Sequence, residues 1–139
     1  VQGDMPDVTT EMILQVDRIL ENHRLATVFA EMSEKQRNNP NAVKMIRSEQ
    51  LYDKSHKALW FGRGFSGYGE HHLGIYGYNK FALERYPRLA VTREEQKENL
   101  EQLRWLKCGF DIYANCVTFD GIEINTPEDA ELWNKKNSH

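Results

Sequence analysis

The residue near the start of the sequence with the clearest chemical potential is Asp4, in the stretch VQGDMP. Val1 and Gln2 are typical of the end of a strand, and Gly3 of the bend that leaves it. The crevice beyond the carboxyl ends of strands is where open α/β sheets bind ligands. A carboxylate there could bind Mg²⁺, which prefers one or two carboxylates together with substrate phosphates. An aspartate in an ordinary turn has the same local pattern, so the stretch alone leaves both interpretations open.

A second candidate is the glycine-rich stretch GRGFSGYG, in which Gly62, Gly64 and Gly67 have the G-x-G-x-x-G spacing of dinucleotide-binding loops. That motif requires the last glycine to open a helix whose N-terminus faces the pyrophosphate. Here the glycines are followed by the aromatic, β-rich run YGEHHLGIYGY, which predicts a strand. We therefore expect a flexible loop that carries one functional arginine, Arg63, instead of a dinucleotide site.

Three further side chains could take part in a site. His71 and His72 are adjacent, so on a strand they point to opposite faces and at most one of them serves a given site. Glu101 lies on the polar flank of a predicted helix, where a solvated charge is the ordinary interpretation. From the residues alone, the sequence indicates an α/β domain with a possible cleft for an anionic ligand.

The elements that must position these residues alternate between helix and strand. Helices are predicted over residues 10–22, over KFALERYP up to Pro87, and from the cap Thr92 to Gly109, with Glu95 completing a capping box. Polar SEKQRNNPN predicts a loop, and TPED starts a last helix. Strands are predicted in LATVFAEM, AVKMIR, KALWF, YGEHHLGIYGY, FDIYANCV and IEI. Such alternation is typical of an α/β architecture, here with one mixed sheet and flanking helices.

Composition narrows the class of protein. A chain of 139 residues corresponds to a single domain spanning 1–139. A net charge of −3 does not favour nucleic acid or an anionic membrane surface as a partner. There is no apolar run near the roughly 20 residues of a membrane span and no signal-peptide pattern, so we expect no membrane partner and a cytoplasmic location. Two cysteines, Cys108 and Cys116, are expected to be buried free thiols.

The most specific signal is a set of stretches in a characteristic order and spacing: VQGDMP, PNAVK, ALWFGR, HHLGIYGY, ENLEQLRWLKCGF and NTPEDAE. In these the sequence resembles the CMP-Kdo synthetases, the 3-deoxy-manno-octulosonate cytidylyltransferases, over nearly its whole length. HLGIY together with LEQLR favours these enzymes over the related sialate cytidylyltransferases. The resemblance implies a partial Rossmann-like (GT-A-like) nucleotidyltransferase fold and a homodimer. It also implies Mg²⁺-assisted transfer of CMP from CTP to a sugar acid, a step that activates a lipopolysaccharide sugar.

The resemblance also assigns roles to individual residues. Asp4 matches a catalytic magnesium ligand, and Arg63 a catalytic position suited to the carboxylate of the sugar acid. The other positions expected around the sugar acid are occupied by Gln2, His72, Tyr76, Glu101 and Gln102. Their amide, imidazole, phenol and carboxylate groups suit a ring of hydroxyls. Each of these residues has a structural interpretation as well, most plausibly Tyr76, whose ring could simply pack.

Three departures from the family pattern limit the prediction. Asn125 stands where the family has a second metal-binding aspartate, and a neutral amide binds Mg²⁺ more weakly. Gly62 replaces a serine, and GFSGYG replaces a proline-containing stretch, which points to altered sugar specificity. The glycine-rich basic loop of the LPGKP type that holds the CTP phosphates in the family does not occur in the sequence.

The chain is therefore expected to correspond to the C-terminal part of a cytidylyltransferase and to be inactive alone. A sheet that lacks the first strands of such an enzyme would expose an edge and apolar surface. We expect a homo-oligomer, a partner chain, a swapped element or an altered sheet to cover it. The alternative hypothesis is a non-catalytic module that binds a sugar acid or serves assembly.

Overall fold

The structure is a computed structural model that describes residues 8–118 of the chain. Gln2, Asp4, Asn125, the predicted IEI strand and the predicted last helix lie outside the described residues. The described elements are α1 (Thr10–Leu20), β1 (Leu25–Ala30), α2 (Glu34–Arg37), β2 (Lys44–Arg47), β3 (His56–Gly62), β4 (Glu70–Tyr78), α3 (Lys80–Arg85), a 3-10 turn (Tyr86–Arg88), α4 (Arg93–Glu98), α5 (Gln102–Lys107) and β5 (Ile112–Cys116).

The strands form one mixed sheet, as predicted, and that sheet closes into a barrel in the order β1-β4-β2-β3-β5. β1 and β5 pair in parallel, with Ala26 opposite Tyr113. The other neighbours are antiparallel, including the predicted β2 and β3 pair. Closure removes the open edge that the sequence led us to expect in this part of the chain, because each described strand has two hydrogen-bonded neighbours.

β1 is the most deeply buried of the described strands, since all six of its residues are buried. Its sequence LATVFA is a continuous apolar run, the pattern of a strand covered on both faces. Ala26, Val28 and Ala30 pack with the apolar face of α1. Leu25 and Phe29 pack on the opposite side with α5 and the remaining strands. The strand therefore joins two parts of the core.

α1 and α3 begin where their sequences provide caps. The Thr9 hydroxyl accepts a hydrogen bond from the Met12 amide, and the Asn79 side chain accepts one from the Ala82 amide. α1 lies on β1 through Met12 and Val16, which are buried. This helix ends at Leu20, two residues before the predicted end.

The helix predicted from Thr92 to Gly109 is instead two helices, α4 and α5. Asn99 between them has φ 56 and ψ 46, in the left-handed region that asparagine tolerates better than most residues. The Thr92 cap is confirmed, since its side chain accepts from the Glu95 amide. Gly109, at φ 89, follows the end of α5. The break turns α5 so that its buried face meets β3 and β4.

Two smaller expectations were wrong. The stretch predicted as a loop contains the short helix α2, because Ser33 caps it by accepting from the Gln36 amide. Cys108 and Cys116 are free but exposed, not buried.

The glycine-rich loop after β3 leads into β4 as predicted, and no helix opens at Gly67. In the part of the chain that is described, no helix has the length and apolarity to cross a bilayer.

Gly77 on β4 provides a test of the packing between α1 and the sheet. An added Cβ there would overlap the Val16 side chain and lie 2.8 Å from Leu20 Cδ1. We expect Gly77→Ala to lower the free energy of unfolding by roughly 1–3 kcal/mol, because overpacking forces the helix away from the strand. Urea unfolding measures this change in the free energy of unfolding. Gly64→Ala is the matched control, since nothing lies within 4 Å of its Cβ position. Equal effects of the two substitutions would contradict this packing.

Candidate functional site

One face of β4 carries a row of aromatic side chains. His72, Tyr76 and Tyr78 share that face because side chains on a strand alternate with a period of two. The ring centroids of His72 and Tyr76 are 5.3 Å apart, and those of Tyr76 and Tyr78 are 6.3 Å apart. Trp105 of α5 continues the row, 5.7 Å from Tyr78. The strand and the helix thereby form two walls of one space.

That space is a cavity of about 370 Å³, a size typical of small-molecule sites. It is lined by Tyr76, Tyr78, Leu83, Tyr86, Glu101, Gln102 and Trp105. Gln102 and Trp105 are three residues apart on α5 and so project from one side of it. The walls are aromatic, while the polar groups are hydroxyls, one amide and one carboxylate. We call it the Gln102 cavity.

The side-chain amide of Gln102 is the least satisfied group in the cavity. The residue is only 3% exposed, and neither its amide nitrogen nor its amide oxygen has a hydrogen-bond partner within residues 8–118. Leaving a buried polar group unpaired costs about 1–3 kcal/mol for that group. A ligand with hydroxyl groups would remove this cost, because a hydroxyl both donates to the oxygen and accepts from the nitrogen.

The phenols of Tyr78 and Tyr86 stay protonated at neutral pH. Burial raises the pKa of Tyr78 to about 12, with smaller contributions from Tyr86 and Glu101. Burial, followed by the neighbouring Glu101 carboxylate, also raises the pKa of Tyr86. The Tyr86 hydroxyl donates to Glu101 Oε2 at 3.3 Å, and Glu101 is otherwise exposed at the mouth. The site therefore offers neutral hydroxyl donors and one carboxylate acceptor.

A buried ion pair fixes the angle between α4 and α5 beside the cavity. Arg104 Nη2 and Nε donate to the two carboxylate oxygens of Glu95, at 2.6 and 2.9 Å. The Arg104 guanidinium also lies 4.8 Å from the centre of the Tyr86 ring. Hydrogen bonds from Arg104 hold the pKa of the Glu95 carboxyl below its usual range. The capping role predicted for this side chain is thus replaced by a contact with the next helix, which supports Tyr86.

His72 is placed behind the cavity and does not line it. It is 2% exposed, and its Nε2 lies 2.9 Å from the Thr27 hydroxyl oxygen. That hydroxyl donates its only proton to the Ile75 carbonyl at 2.7 Å, so it must accept from His72 Nε2. The imidazole consequently carries its proton on Nε2. Burial lowers the pKa of His72 to about 3, which keeps the ring neutral at pH 7.

Arg63 is likewise outside the lining of the Gln102 cavity. Its Nη1 donates to the Glu98 carbonyl at the end of α4, at 2.8 Å. The nearby Lys44 ammonium is buried and donates to the Arg63 carbonyl at 3.4 Å, and burial lowers the pKa of Lys44. Within the described residues, neither an arginine nor a lysine lines the cavity. The hydroxyls of a sugar would find partners here, whereas its carboxylate would not.

The structure therefore brings together three of the residues singled out in the sequence: Tyr76, Glu101 and Gln102. It sets His72 behind Tyr76 and Arg63 against α4. Sequence reasoning missed Tyr78, Tyr86 and Trp105 as lining residues. The period-two spacing of Tyr76 and Tyr78 and the three-residue spacing of Gln102 and Trp105 were signals of a shared face. In residues 8–118 there is no group of three acidic, histidine or cysteine side chains that could hold a metal ion.

The Glu95 and Arg104 pair can be tested by stability. Glu95→Gln should lower the free energy of unfolding by roughly 1.5–3 kcal/mol, because it weakens charge-assisted hydrogen bonds in a buried pair. In the wild type, the charged Glu95 carboxylate makes its full contribution to the free energy of unfolding above the ordinary carboxyl pKa of 4.5. That contribution is lost as the pH falls below 4.5 towards the lowered folded-state pKa. Urea unfolding at pH 7 and pH 4 measures both effects. Glu94→Gln is the control, since Glu94 contacts Lys107 at the surface, and it should change stability little. Indistinguishable variants would refute the role of the pair.

The neutral, buried His72 predicts a second pH dependence. Between the unfolded-state pKa of 6.5 and the folded-state pKa of about 3, the unfolded chain binds the extra proton, so stability falls as the pH is lowered. His72→Gln should flatten the loss of stability between pH 7 and pH 5 by up to about 1.4 kcal/mol per pH unit. His71→Gln, at the partly exposed neighbour, should leave the wild-type dependence in place. A flattening by His71→Gln alone would overturn this assignment.

Comparison with known proteins places these features in context. No protein-family model matches the chain. The 3-deoxy-manno-octulosonate cytidylyltransferase of Agrobacterium fabrum is 38% identical over 138 residues, covering 94% of this chain and 55% of that protein. The enzyme of the same name from Rhizobium johnstonii is 36% identical, with 94% and 55% covered.

A solved structure gives the same result. It is described as CMP:2-keto-3-deoxy-manno-octonic acid synthetase complexed with CTP, and it superposes with a TM-score of 0.76 at 29% identity. The match covers 95% of this chain and 57% of that one, and it supports the predicted α/β class. The chain is therefore a homologue, over nearly its whole length, of the 3-deoxy-manno-octulosonate cytidylyltransferases, and it spans about half the length of these relatives.

Proposed function

We propose that the chain forms the sugar-acid side of a cytidylyltransferase that transfers CMP from CTP to a 3-deoxy-manno-octulosonate-type acid and releases pyrophosphate. The observation that carries this proposal is the buried, unpaired amide of Gln102 in an aromatic cavity. Homology to proteins named for this activity supports the reaction, and the structural match supports a Rossmann-like (GT-A-like) nucleotidyltransferase fold. The location that fits this role is the cytoplasm, and a homodimer is the proposed assembly.

In this proposal the cavity binds the hydroxylated part of the sugar acid. The Gln102 amide and the Glu101 carboxylate bind hydroxyl groups, while Tyr76 and Trp105 cover the faces of the ring. His72 holds Tyr76 in place from behind. Gln2 would complete the hydroxyl contacts. The carboxylate of the sugar acid requires a cation, and Arg63 would have to exchange its Glu98 contact to supply one.

The metal that the family implies is Mg²⁺, with Asp4 and Asn125 as the ligands. One carboxylate and one amide oxygen, together with triphosphate oxygens, make a donor set that fits Mg²⁺, although with less charge than two carboxylates. When bound, the metal would stabilise the negative charge that develops on the triphosphate. Because the glycine-rich basic loop does not occur in these 139 residues, we propose that they do not turn over CTP alone.

The sugar site can be tested with Gln102→Leu. Removing the unpaired amide should leave the free energy of unfolding unchanged or higher, since an apolar side chain of similar size needs no hydrogen bonds. The affinity for the sugar acid Kdo, measured by calorimetry without CTP, should fall about tenfold, the value of one or two lost hydrogen bonds. Gln96→Leu, at an exposed position on α4, is the matched control. Unchanged affinity in Gln102→Leu would overturn the sugar site.

A second candidate function is a non-catalytic module that binds a sugar acid. Two observations favour it: the walls of the Gln102 cavity come from the described residues alone, and Asn125 stands in place of an aspartate. Reconstitution distinguishes the two functions: this chain is combined with the half of the Agrobacterium fabrum relative that it does not cover. Pyrophosphate release that depends on CTP, Kdo and Mg²⁺ supports the enzyme. Kdo binding without release supports the module.

A further inference from the structure

A second cavity lies at another place in the fold and shares no lining residue with the Gln102 cavity. Its volume is about 650 Å³, within the ordinary size of small-molecule sites. It opens between the start of β1, the α3 segment with its 3-10 turn, and the start of β5. Arg24, Arg85 and Arg88 line it together with Phe81 and Tyr113. We call it the arginine cavity, and the proposed cytidylyltransferase function assigns it no role.

Phe81 holds two of these guanidinium groups in place. The Arg24 guanidinium carbon lies 3.8 Å from the centre of the Phe81 ring, and that of Arg85 lies 4.5 Å from it. Stacking on an aromatic face orients the planar guanidinium and leaves its edge N–H groups available. Two long side chains that would otherwise be mobile are thus held at one place in the wall.

The positive charge of the cavity is not balanced by the described residues. Within residues 8–118, no ion pair or hydrogen bond joins the side chains of Arg24, Arg85 or Arg88 to a carboxylate. The lining contains a single acid, Asp111, whose carboxylate lies 3.2 Å from the Lys57 ammonium. Several like charges around one concavity raise the local positive potential and attract an anion.

Aromatic side chains form the rest of the wall. The His23 ring stacks on Tyr113 with centroids 3.6 Å apart, and His23 Nε2 lies 2.6 Å from Asp53. The contact with Asp53 anchors the imidazole that stacks on Tyr113. The lining therefore combines guanidinium donors with flat apolar surface, the combination that recognises a phosphorylated organic molecule.

We propose that the arginine cavity is a binding site for a phosphoryl group, with Arg24, Arg85 and Arg88 as its donors. Guanidinium groups match the geometry of phosphate oxygens through paired N–H bonds. The phosphoryl group could be free or part of an organic phosphate, and the two sources are distinguished by comparing inorganic pyrophosphate with ribose 5-phosphate. The site needs no metal, since the arginines supply the charge.

The test is calorimetry of the 139-residue chain with each probe, in EDTA so that magnesium-dependent binding elsewhere is absent. Arg88→Gln should weaken binding about tenfold, the value of a lost charge-assisted hydrogen bond, and Arg88→Lys should weaken it less. Arg88 is exposed, so the fold should persist, and circular dichroism checks this. Lys35→Gln, an exposed cation on α2, is the matched control and should bind as the wild type does.

Amide NMR shifts locate the bound probe. Pyrophosphate or ribose 5-phosphate should move the signals of Gly109 and Asp111 and leave that of Gln102 unchanged. Tighter binding of ribose 5-phosphate would show that the aromatic wall takes part, and equal binding would show that the phosphoryl group alone is recognised. Absence of binding by both probes, or wild-type affinity in both Arg88→Gln and Arg85→Gln, would overturn the proposal, while leaving the sugar cavity unaffected.

Discussion

The burial of β1 on both faces is the constraint on which the rest of the structure depends. Its six residues pair with β4 on one side and with β5 on the other, and they are covered by α1 and by the core that includes α5. Through Thr27 the strand also decides the protonation of His72, because the single hydroxyl proton is given to Ile75. Further polar residues on either face of this strand would be tolerated only if they found partners as Thr27 does, since a buried polar group otherwise loses water without compensation.

The fold separates two kinds of surface. The Gln102 cavity is aromatic with a single carboxylate, whereas the arginine cavity carries three cations and one acid that is already paired. Because the positive and negative groups line different concavities, the two proposed ligand chemistries differ: hydroxyl groups in the Gln102 cavity and an oxyanion in the arginine cavity. Arg104 does not line the Gln102 cavity, because its guanidinium is paired with the Glu95 carboxylate.

Local signals in the sequence predicted most of the elements, and their failures have physical causes. Thr92 marked the start of a helix, and the apolar run of β1 marked a buried strand, because a cap and the burial of a strand depend on residues close together in the sequence. The break at Asn99 was missed, since Thr92 and Gly109 signalled one helix start and one helix end, and an asparagine between them is not by itself a stop signal. Glu95 fitted a capping box, but Arg104, nine residues away and partly buried, was the stronger partner.

Residue types and their spacing were enough to predict an α/β fold, the resemblance to Kdo cytidylyltransferases and the residue types of the proposed sugar site. Which of those residues meet depends on how the strands and helices pack. Tyr76, Glu101 and Gln102 come from a strand and a separate helix, and their convergence depends on the break that reorients α5. Closure of the sheet and the gathering of arginines around Phe81 are likewise products of long-range packing, for which short sequence patterns contain no signal.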